Sequence, residues 1–203
     1  MRTAGAMRFL ILTLGTVLRA WSQGTFVYDQ QSATNGRATG GSPIQQLQPV
    51  GQSFTPNYDS VGFVQLQFLD ARQYNGLGSA AFVTLRENSI TGNVLAASSP
   101  VSMPDSFWGT ATFYFPNSTP ITPGITYFFQ ISLLSGEDTD ILSDQYNYPG
   151  GTSYFLGQSH PNPSRDLWFR EGYLAPEPNA LYLLLMGITF VSFLTRRRQV
   201  RFD

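Results

Sequence analysis

Three groups of residues in this chain have side chains suited to chemistry. The first is an acidic run, "SGEDTDILSDQ", which holds Glu137, Asp138, Asp140 and Asp144. Hard carboxylate oxygens gathered in a loop suit Ca²⁺, so a structural calcium ion is the one cofactor the sequence offers. The run lacks the glycine and the terminal glutamate of an EF-hand loop, and its bland reading is a solvated acidic hairpin. The second group is aromatic. Trp108, Tyr146, Tyr148, Tyr154 and Trp168 sit in or beside turn-rich stretches. Such rings combine broad apolar area with a polar handle. Trp108, Tyr146, Tyr148 and Trp168 are therefore candidates for stacking on glycans, against the plain alternative of core and rim packing. The third is His160, the only histidine, in the polar loop "GQSHPNPSRD". A Ser-His-Asp set is formally present, but no serine lies in a nucleophile-elbow context. The acids are few and mostly fall in turns, which gives a glycosidase pair little support. No catalytic residue is assigned, and the chain reads as non-enzymatic.

The elements that must position these residues are strands. Charged residues make up only 12% of the 203 residues, lysine is absent, and 19 Gly and 13 Pro punctuate the chain. That mix indicates an all-β protein with many turns. In "VGFVQLQFLD", Val64, Leu66 and Phe68 share one face, with Gln65 and Gln67 on the other. "AAFVTLRE" repeats the pattern with Ala81, Val83 and Leu85 inward and Thr84 and Arg86 outward. "TATFYFP" places Ala111, Phe113 and Phe115 inward and Thr110, Thr112 and Tyr114 outward. "DLWFRE" sets Leu167 and Phe169 together, with Trp168 on the opposite face and read as open to solvent. "TFVYD", "VGQSFTP", "NVLAASSPVSMP" and "ITPGITYFFQISLL" supply further strands, whereas "NGRATGGSP" reads as a loop. Eight or nine short strands without a helical period fit a β-sandwich, with a jelly roll as the specific expectation. With no cysteine, disulfides and thiolate metal sites are excluded.

Both ends read as addresses. Met7 and Arg8 precede the apolar "FLILTLGTVL", and Ala20 and Ser22 occupy the small positions before a cut ahead of Gln23, as in a secretory signal peptide. Near the other end, Ala180–Thr195 is apolar nearly all round, with Asn179 as an N-cap and Arg196, Arg197 and Arg198 as a membrane stop. Between Gln23 and Ala175, five arginines face eight Asp and three Glu, a net charge of −6. An acidic body disfavours nucleic acid as a partner.

The order Pro176-Glu177-Pro178, apolar helix, arginine cluster resembles the PEP-CTERM sorting signal over about the last 30 residues. That resemblance implies a Gram-negative host that makes exopolysaccharide. It also implies transient anchoring in the inner membrane, recognition of the Pro-Glu-Pro region by an exosortase-type processing enzyme, and delivery to the envelope surface or matrix. The pieces "GQSFTP", "ITGNVLAASSPVSM", "ATFYFPNSTPITPGITYFFQIS" and "YPGGTSYFLGQ…DLWFRE" resemble galactose-binding-like and carbohydrate-binding-module-like sandwiches, which implies the fold and a glycan as one candidate ligand. The resulting expectation is a signal peptide over 1–22, a β-sandwich over 23–172, and a sorting tail over 173–203 with a transmembrane helix at about 179–195. The expected partners are the secretion translocon, the exosortase-type enzyme, the membrane and exopolysaccharide.

Overall fold

The computed structural model describes residues 24–33 and 36–175. The expected signal peptide, the sorting motif, the transmembrane helix and the arginine stop lie outside the described residues. Among the described residues, no helix is long and apolar enough to cross a membrane. Fourteen strands occur there, in chain order β1 Thr25–Gln31, β2 Gly40–Pro43, β3 Val50–Phe54, β4 Ser60–Asp70, β5 Ser79–Glu87, β6 Val94–Ala97, β7 Val101–Met103, β8 Trp108–Pro120, β9 Tyr127–Gly136, β10 Thr139–Gln145, β11 Ser153–Phe155, β12 Gln158–Ser159, β13 Arg165–Leu167 and β14 Phe169–Ala175. The last strand runs past the expected boundary at 172.

The strands form two antiparallel sheets of seven. The first follows the order β1-β14-β4-β10-β13, with β8 on β4 and β2 on β10. Its long axis is β4. β8 lines one edge of β4 from Pro120 to Trp108, while β14 and β10 share the other edge end to end. The second sheet runs β12-β11-β3-β9-β5-β6, with β7 also on β5. There the bent stretch "NVLAASSPVSMP" becomes β6 and β7, both paired with the same edge of β5. The stretch read as a loop, Asn35–Pro43, ends in a strand, β2, paired with Asp140–Ser143 of β10.

The alternating residues close over one core. Val64, Leu66, Phe68, Phe113 and Phe169 of the first sheet join Val50, Phe54, Val83, Leu85, Phe129 and Ile131 of the second, all buried. Burial of a large apolar side chain stabilises by roughly 1.5–3 kcal/mol, so this layer dominates the favourable side of folding. Two polar links also cross between the sheets. Gln52 Nε2 donates to Asp166 Oδ1 at 2.8 Å while Gln52 Oε1 accepts the Leu167 N–H at 3.1 Å. Thr139 Oγ1 donates to Ser79 Oγ at 2.8 Å. Each satisfies groups that would otherwise be costly inside. Burial pushes the Asp166 carboxyl up, opposed by the Tyr148 N–H and Gln52 bonds.

Candidate functional site

The outer face of the first sheet carries an exposed aromatic and polar row. On β8, Trp108, Thr110, Thr112 and Tyr114 all point away from the core, since the alternate residues Ala111 and Phe113 are buried in it. Trp108 is 48% exposed and Tyr114 47%. Opposite them on β4 stand Leu69, Gln67, Gln65 and Phe63 in register. Phe63 is fully buried on this outer side, sealed by Phe26 at 4.7 Å and Tyr28 at 5.6 Å between ring centroids. Phe26 in turn stacks on Tyr114 at 6.3 Å. Tyr28 Oη donates to Gln65 Oε1 at 3.3 Å, and Gln65 Nε2 donates to Thr112 Oγ1 at 3.2 Å. Two arginines lie on these rings: Arg37 is 4.5 Å above Trp108, and Arg170 is 5.5 Å from Tyr28 and 4.9 Å from Trp168.

The other aromatic candidates are not on this open row. Trp168 does point away from Leu167 and Phe169, but it is only 3% exposed and packs with Ala38 and Leu142. The segment Gly36–Ala38 lies against the sheet here. It is fastened by Gln67, whose Oε1 accepts the Ala38 N–H and whose Nε2 donates to Gly36 O. The reading of Trp168 as solvent-facing is therefore corrected, because a segment about 130 residues earlier in the chain covers the ring. Tyr148 is also buried: its hydroxyl donates to Gln30 Oε1 at 2.9 Å and its ring packs on Phe169. Neither ring offers a free face to a sugar. Tyr146 is half-buried against the Trp168 cluster, and burial, helped by Asp144, pushes its hydroxyl up to about 12. Tyr154 packs edge-on against Phe128.

The four acids of the Ca²⁺ expectation do not converge. Asp138 pairs with Arg72 at 2.6 Å. Asp140 lies against Gly41, and burial, then Asp138, raise its carboxyl. Asp144 is four residues further along β10, about 13 Å away. It accepts the Thr39 hydroxyl at 2.8 Å, the bond that holds its carboxyl below the usual range. Glu137 instead meets Asp70 and Asp105, with carboxylate oxygens of all three within 4.8 Å of one another. Among the described residues, these three are the group able to offer converging oxygen ligands to a cation. Asp70 and Asp105 also organise the turn after β4. Asp70 accepts the Arg72 and Ser106 N–H groups at 2.8 and 2.7 Å, and Asp105 accepts those of Tyr74 and Gly76 at 2.9 Å each. The Gly76 N–H is the main reason the Asp105 carboxyl is held low. Sequence reasoning missed Asp70 and Asp105, although Asp70 ends β4 and Asp105 lies in the turn between β7 and β8.

No protein-family model matches this chain, and no curated protein is significantly similar to it.

Two further groups complete the survey of reactive side chains. His160 Nδ1 accepts the Asn162 N–H at 3.1 Å and its ring packs edge-on against Phe155, which makes it a turn residue. Glu171 was read only as part of a strand. It shares the core-facing side of β14 with Phe169 and is 1% exposed. Its Oε1 accepts the Gln30 N–H at 3.1 Å, and its Oε2 has no hydrogen-bond partner. Burial, reinforced by the nearby Asp29 and opposed by that N–H, pushes its carboxyl up to about 9.

Proposed function

We propose that this chain is an exported, non-catalytic protein of the cell envelope or extracellular matrix, built on a jelly-roll-like sandwich and delivered by its C-terminal tail. One observation carries the reading. Pro176-Glu177-Pro178, a nearly unbroken apolar run and Arg196-Arg197-Arg198 follow one another directly after the last strand. The prolines favour an extended backbone, the form a processing cleft can grip. The arginines hold the far end of the apolar run on the cytoplasmic side. The secretion translocon, an exosortase-type enzyme and the membrane are the partners this requires. Asp70, Asp105 and His160 are engaged in turn bonds, in keeping with a role other than catalysis.

Mass spectrometry of the native envelope fraction tests the reading. The expected mature species begins near Gln23 and ends near Pro178. Recovery of Leu181–Arg197 peptides in the mature extracellular protein would overturn it.

A further inference from the structure

We propose that the outer face of the first sheet, along β8 from Trp108 to Tyr114, binds an extended polysaccharide that carries carboxylate groups. The proposal deepens the reading above and rests on it only for the place where the polymer is met. Six residues of strand separate the two rings, so they stand about 20 Å apart. A compact ligand cannot touch both, whereas a run of several sugar rings laid along the strand can. The exposed rings offer apolar faces to the C–H-bearing side of a sugar. Between them stand Thr110, Thr112 and Gln65, hydroxyl and amide groups that both donate and accept, as sugar hydroxyls do. Those polar groups would find no partner in the hydrocarbon of a bilayer.

Charge selects among polysaccharides. β8 has no charged residue, and the charged groups lodged on the rings of this face are Arg37 and Arg170. Of the acids of the same sheet, Asp140 and Asp144 share the outer face with Leu69 but are held toward β2, on the edge of β10 away from β4 and β8, while Asp29 binds the Asn57 and Tyr58 N–H groups and Asp166 and Glu171 are buried. Asp140 lies against Gly41, Asp144 binds Thr39, and Asp70 ties the turn at the end of β4. The charged groups in contact with the exposed rings of this face are thus arginines, on a body of net charge −6. A guanidinium presents a planar fork that matches a carboxylate, so a polymer with uronic-acid groups fits this face and a polycation does not.

The test is affinity electrophoresis of the full chain in mild non-ionic detergent, through gels containing alginate, polygalacturonate or neutral dextran. A uronate polymer is expected to retard the protein and dextran is not. W108A and Y114A should each weaken binding about tenfold, and R37Q should do the same. T110E puts a carboxylate in the middle of an exposed row and should abolish retardation. All four positions are exposed, and unchanged thermal melting of each variant shows that the fold is intact. Four results would overturn the proposal: no retardation by any polymer, equal retardation by dextran, alanine variants that bind like the wild type, or sedimentation showing a dimer that W108A dissolves. Adsorption to phosphatidylglycerol vesicles, lost in Y114A and with no polymer binding, would assign the face to a membrane instead. A defect in tail processing leaves these gels unchanged, so the two readings fail separately.

Discussion

Glu171→Gln should stabilise this protein at neutral and alkaline pH. The ordinary carboxyl value is 4.5, and the buried group is pushed up to about 9. A carboxyl raised on folding holds its proton more tightly in the native state than in the unfolded chain. Its contribution is therefore complete below pH 4.5 and is lost as pH rises toward 9. Each pH unit across that window costs about 1.4 kcal/mol, so at pH 7 the loss is about 3 kcal/mol. The groups facing Glu171 are Asp29 and Gln30 of β1. Tyr148 is linked to them through Gln30 and is held neutral by its own burial. Glutamine keeps an oxygen for the Gln30 N–H and removes the titration. At pH 7 it should raise the melting temperature by about 6–12 °C, taking about 2–4 °C per kcal/mol for a protein of this size. The assay is circular-dichroism melting of the full chain in mild detergent from pH 4 to 9, wild type beside E171Q. The wild-type melting temperature should fall through this range more steeply than that of the variant. A wild type that does not weaken between pH 5 and 8, or an E171Q protein that melts no higher than wild type at pH 8, would refute the reasoning.

Other outcomes follow from burial and bonding. Phe113→Ala and Trp168→Ala should each cost about 3–5 kcal/mol, since both rings are packed; a Trp168→Ala protein melting within 2 °C of wild type would show the ring to be dispensable. Asp70→Asn should cost about 1–3 kcal/mol and speed proteolysis of the turn from Ala71 to Gly78, because one of the Arg72 and Ser106 N–H groups loses its acceptor. Asp138→Asn should shift unfolding by no more than about 1 kcal/mol, because its bridge to Arg72 is largely solvated. Replacing Arg196, Arg197 and Arg198 by glutamine should impair membrane retention or orientation, read by a reporter fused after Asp203 that is active in the cytoplasm for wild type.

Much of the fold was legible because burial of one face imposes alternation. β4, β5 and β8 have such faces, and Val64, Val83 and Phe113 lie where the period-two pattern puts them. β2, β11 and β12 were not, since "GGSP", "SYF" and "QS" are too short or too polar to show a period. Direction was more legible than exposure. The side of the strand to which Trp168 points follows from its neighbours, but the segment covering it is fastened through Gln67 and could not be located from local pattern. The Asp70, Asp105 and Glu137 cluster draws on three separate turns, so no window of the sequence contains it. Glu171 was a visible conflict, an acid in step with Phe169. Its cost was hidden because Gln30 and Asp29, the groups that decide its environment, come from the first strand.

The position of β14 has a mechanical consequence. The strand that leads into the tail is an interior one, flanked by β1 and β4. Its bonds to β4, from Phe169 opposite Leu66 to Gly172 opposite Phe63, lie across the strand axis. Tension applied along that axis at its C-terminal end loads these bonds together in shear, whereas a free hairpin at a sheet edge would peel one bond at a time. Gly172 tightens the grip, because the bare backbone lets Val27 of β1 approach where a Cβ would collide. A protein tethered at its C-terminus while a polymer drags on its outer face would bear that load on the strand buttressed from both sides.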